Sequence, residues 1–210
     1  MGTHSSHERQ ALADALTAAG PEAPTLCEGW TTLDLVVHLL TRERRPDASI
    51  SRMVPFLAAH AKKVDAELRS RPYDALVDDF RLGPPRLNPF TVSVIDERMN
   101  LGEFFIHTED VRRATPEWTP RMLEPELSEA IWRDLSFFAK LALRRSPVPV
   151  RLVRMDGAEI ATGKAGVPVR LHGEPGELLL YVSGRTSAAQ VELTGPVEQL
   201  KAFREITLSI

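Results

Sequence analysis

Glu103 and His107 stand four residues apart, the spacing at which a carboxylate and an imidazole on one helix can converge on a single ion. Placed on a helix at about 100° per residue, Asp96, Asn100, Glu103, His107 and Asp110 share one narrow stripe. Met99 and Ile106 flank it on one side, Phe104 and Val111 on the other. Arg98, Glu109, Arg112 and Arg113 fall roughly opposite, on the side expected to meet water. A polar stripe therefore runs down a face whose flanks mark it as buried. Carboxylates and an imidazole buried among aromatics are costly unless partners or a metal satisfy them. Two chemistries meet that demand: a divalent metal centre, or a metal-free network of histidine–carboxylate hydrogen bonds. The E-x-x-x-H spacing is loose and leaves both open.

Other chemistry-bearing residues are few. His38 sits mid-helix, but Leu33, Val36, Val37, Leu39 and Leu40 occupy an arc almost opposite it, so the wheel alone reads it as a half-exposed helical histidine. Cys27 is the single cysteine, which excludes an internal disulfide and a multi-cysteine zinc site; by itself it reads as a small buried hydrophobe. A net charge of -3 and a pI near 6.1 give no basic footprint for nucleic acid. No apolar run approaches the ~20 residues of a membrane span. The opening MGTHSSHERQ has no apolar signal-peptide core, so a soluble cytoplasmic protein is expected.

The elements that must position these residues follow from punctuation and period. Ser5 or Ser6 caps a first helix to about residue 19, ended by Gly20-Pro21. Thr31 with Asp34 forms a capping box for a helix over 32–45. Further helices are expected over 49–71 (with Pro55 in its early turns), 73–81, 91–114 and 125–145. The last of these carries an apolar stripe of Leu127, Ile131, Leu135, Phe138 and Leu141. At Ser146-Pro147 the pattern changes to short alternating runs, with a hairpin turn at Asp156-Gly157. Strands over 149–155, 158–162, 167–172 and 190–194 are interleaved with helices over 176–182 and 196–204. An all-α domain over 1–146 and a small α+β domain over 147–210 are expected.

Three pieces carry a resemblance. They are Glu28-Gly29-Trp30-Thr31 leading to Asp34-Leu35-Val36-Val37-His38-Leu39, then Glu103-Phe104-Phe105-Ile106-His107-Thr108-Glu109-Asp110, then the stretch ELLLYVSGR over 177–185. In this order they resemble the mycothiol-dependent maleylpyruvate isomerase-like proteins of the DinB/YfiT-like superfamily, in particular an actinobacterial subgroup described as metal-binding. The resemblance implies a mainly α fold: a DinB-like up-down four-helix bundle with a divalent metal, usually zinc, at one end, followed by a small α+β C-terminal domain. It implies His38, Glu103 and His107 as the metal ligands. It also implies Asp110 as a functional acid and Arg185 as the functional arginine that binds substrate or thiol cofactor, where position alone would suggest a surface arginine.

Two His and one Glu leave positions for water, thiol or substrate. The implied activity is a mycothiol-dependent isomerase or S-transferase, with the thiol activated on the metal and a small electrophile as partner. The alternative is a non-catalytic module of the same fold that binds metal and ligand. The sequence leaves the oligomeric state open.

Overall fold

The computed structural model describes residues 3–45, 47–48, 58–84, 94–162 and 165–208, with the side chains of Thr3 and of 94–99 outside the description. The chain forms two compact units, 1–119 and 120–210. In the first, α1 (Thr3–Ala19) begins ahead of the expected serine cap, and Ser5 is buried inside the helix. Helix α2 (Thr32–Arg44) starts as expected: Thr31 Oγ1 accepts from Asp34 N–H, and Asp34 Oδ2 accepts the Thr31 N–H at 2.7 Å. Then come α3 (Ala58–Arg69), α4 (Tyr73–Leu82) and α5 (Val94–Arg112). Ser49, where the third helix was expected to start, Pro55 in its early turns, and Thr91, the expected start of the helix carrying Glu103, lie outside the described residues.

Helix α5 packs against α1, while α2 packs against α3 and α4. The core between them holds Leu12, Leu16, Leu35, Leu39, Phe80 and Phe104, all without exposure. Each such side chain contributes roughly 1.5–3 kcal/mol by burial. Phe80 and Phe104 meet edge to face at 5.5 Å.

The second unit opens with α6 (Pro125–Ala142), then β1 (Val150–Val153), β2 (Glu159–Thr162), β3 (Val169–His172), α7 (Pro175–Val182), β4 (Glu192–Thr194) and α8 (Val197–Arg204). The sheet order is β2-β1-β3-β4, with β1 and β3 parallel and both outer pairs antiparallel. Helix α6 packs on α7 and β2. It therefore belongs with the sheet, not with the helical unit to which a boundary at 146 assigns it. Its buried face (Ala130, Ile131, Leu135, Phe138, Ala139) finds its cover in α7, and the pattern change at Ser146-Pro147 falls inside a single unit. The protein is mainly α with an α+β part at its C-terminal end. Among the described residues no helix is long and apolar enough to cross a membrane.

Candidate metal centre

The capping box at Thr31 fixes the first turn of α2, and Leu35, Val36, Leu39 and Leu40 turn its apolar face into the core. His38 is thereby left on the other side, its side chain 28% exposed, with Nε2 at 3.3 Å from Glu103 Oε1. One turn along α5 from Glu103, His107 brings its own Nε2 to 3.3 Å from the same oxygen. The two imidazoles stand 5.7 Å apart at 71°. The three donors lie within 4.8 Å of one another. The wheel position that speaks against His38 is what makes it available: opposite the apolar arc, it faces the polar stripe of α5.

Asp110, with no exposure, closes the other edge of His107, its Oδ2 at 2.8 Å from Nδ1. A carboxylate there accepts a proton-bearing Nδ1, so Nε2 is the nitrogen turned toward Glu103 and His38. Burial alone would disfavour a charged His107. Hydrogen bonds to Asp110, Cys27 and Glu103, with the Glu103 charge, reverse this and raise it well above the ordinary histidine value. Burial likewise pushes the Glu103 carboxyl up, yet the bonds to His107 and His38 and the charges of His107 and Arg42 hold it well below its usual range. Without metal these interactions favour the charged form of each partner, imidazolium at His107 and carboxylate at Glu103. Two imidazoles and one carboxylate converging, with a buried carboxylate orienting one ring, fit a divalent ion of the zinc class.

Arg185 lies in the second unit, whereas His38, Glu103, His107 and Asp110 all lie in the first. It follows Gly184, whose φ of +92° ends α7 and where an added Cβ would sit 2.5 Å from Leu208 O. The Arg185 N–H donates to Leu180 O, and its guanidinium donates to Ser183 O at 2.7 Å.

Several participants escape a reading of periodicity. Cys27 is half-buried rather than sealed in the core, and its thiol donates to Asp110 Oδ2 at 3.3 Å. Trp30 places its ring 5.2 Å from that of His38. Arg42 lies 3.7 Å from Glu103 Oε1 and donates to Asn100 Oδ1 at 2.7 Å. The loop over 21–30 carries two of these residues and has no period to betray them; the Gly29-Trp30-Thr31 corner is its one sequence signal. Glu109 and Arg113, expected in water, are buried as an ion pair beneath the Trp118 ring, with the Arg113 guanidinium 4.6 Å from the ring centre.

Residues 3–88 match the family described as Mycothiol maleylpyruvate isomerase N-terminal domain. That stretch holds the Gly29-Trp30-Thr31 corner and His38 and stops short of α5. Among solved structures, the crystal structure of a histidine-to-alanine variant of mycothiol-dependent maleylpyruvate isomerase aligns with a TM-score of 0.57 at 15% identity, over 93% of this chain and 92% of that one. At such identity the likeness is one of fold. No curated protein matches the chain in sequence.

Proposed function

We propose that His38, Glu103 and His107 hold one divalent ion, assigned as zinc, which activates a small thiol of the mycothiol type for isomerase or S-transferase chemistry on a small electrophile; the match of residues 3–88 to the mycothiol maleylpyruvate isomerase N-terminal domain and the likeness in fold to the isomerase support this reading. The observation that carries this reading is the approach of both Nε2 atoms to Glu103 Oε1, each at 3.3 Å. Zinc bound there would supply Lewis acidity, lowering the pKa of a coordinated thiol toward neutrality.

The chain's own residues divide the remaining work. Glu103 is the only anion of the set, so a dication there keeps a net positive charge that suits an incoming thiolate. Asp110 holds the His107 ring by Nδ1. Fully buried, it acts through His107 as a positioning residue rather than on the substrate itself. Trp30 sets its ring beside that of His38, the centres 5.2 Å apart. Arg185, in the second unit, is proposed as a functional arginine able to bind an anionic group in the bidentate manner of guanidinium on carboxylate. The reading implies a cytoplasmic protein, where small thiols are kept reduced.

The test is a mycothiol titration of cobalt-substituted Cys27→Ser protein, in which the chain contributes no thiol of its own. A sulfur-to-metal charge-transfer band should grow with added thiol. Absence of the band with mycothiol and with every other small thiol would leave a metal-binding module without thiol chemistry as the better reading.

A further inference from the structure

We propose that Cys27, His107 and Asp110 form a second, sulfur-containing cation site on the opposite edge of the same imidazole, suited to a thiophilic divalent ion. The site goes beyond the thiol-activating reading and shares only His107 with its ligands. Cys27 Sγ lies 3.3 Å and His107 Nδ1 2.8 Å from Asp110 Oδ2. The three donors sit within 4.8 Å of one another. Asp110 and His107 are buried and Cys27 is half-buried, so the sulfur is the donor nearest water.

The arrangement is held by backbone on both sides. Leu26 N–H donates to Asp110 O at 3.0 Å, tying the loop to α5, and Trp30 N–H donates to Cys27 O at 2.9 Å. Thr25 Oγ1 accepts the Cys27 N–H at 3.2 Å. A site pre-formed in this way needs little reordering to receive an ion.

Charge and softness separate the two sets. A thiolate and a carboxylate neutralise a dication fully, whereas Glu103 alone leaves it positive. Sulfur selects cadmium and zinc over hard cations. A neutral imidazole has one lone pair, so His107 serves one set at a time: by Nε2 toward His38 and Glu103, or by Nδ1 toward Cys27 and Asp110. Filling the sulfur site therefore withdraws a ligand from the other.

The probe is Cd²⁺ alone, titrated into the metal-stripped full chain. The expected result is a sulfur-to-cadmium ultraviolet band that persists in His38→Ala and in Glu103→Gln and is lost in Cys27→Ser. Asp110→Ala, or Asp110→Asn if the first does not fold, should weaken Cd²⁺ binding about tenfold or more, the scale of losing a supporting carboxylate. No band in the wild type would overturn the proposal. So would a band lost in both His38→Ala and Glu103→Gln, since the sulfur would then belong to the first set. Unchanged affinity in both Asp110 variants would reduce the site to a lone thiol and overturn it as well. The cobalt–mycothiol test is run without Cys27, so either reading can fail while the other stands.

Discussion

Asp110 serves two neighbours with one oxygen, His107 Nδ1 at 2.8 Å and Cys27 Sγ at 3.3 Å, and so decides which nitrogen of His107 faces the other ligands. Asp110→Asn should keep one ion per chain at saturating zinc yet lower zinc affinity about 10–100-fold. Competition with a chelator measures this, and unchanged affinity would remove Asp110 from the site. Protons give a second handle. In the metal-free protein the His107 value is raised, so its stabilising share is present below the ordinary value of about 6.5 and is lost as pH rises through the raised one. Glu103 is depressed, so its share is present above about 4.3 and is lost as pH falls through the lowered value. Zinc competes with the His107 proton, and its affinity should climb with pH until His107 has titrated. An NMR titration of metal-free His107 with a midpoint at or below 6.5 would contradict this. Glu103 and His107 were legible from spacing, because a polar stripe between aromatics is a local pattern. His38 was not, because its partner lies on another helix and only the resemblance pointed to it.

At the scale of elements, the caps and periods of α2 and α6 were readable because each has one buried face. Helix α5 is enclosed all round over 100–111 apart from Glu103, so its period does not separate inside from outside. Glu109 and Arg113 pair within that enclosure, and Arg112, half-exposed, adds a second contact to Glu109 at 2.7 Å. Arg113→Ala strips the buried partner from a buried carboxylate and empties the space under Trp118. The expected loss is roughly 3–5 kcal/mol by denaturant unfolding. A loss below about 1 kcal/mol would mean that Arg112 alone suffices, as exposed pairs contribute little.

At the scale of the molecule, two units were legible but their junction was not. A change of secondary structure is visible in sequence, whereas the choice of α6 to pack on α7 and β2 is tertiary. Limited proteolysis should cut within 115–124, where Thr115, Pro116, Glu117, Thr119, Met122 and Glu124 are exposed, and leave α6 joined to the sheet. Cleavage confined to 146–149 would favour the other boundary. The central claim is metal at His38, Glu103 and His107, and metal content per whole chain tests it most directly. Cys27→Ser protein, stripped and reloaded with zinc, should carry one ion per chain, and the same protein bearing His107→Ala or His38→Ala should approach none. Full zinc retained by those double variants while they remain folded would contradict the assignment.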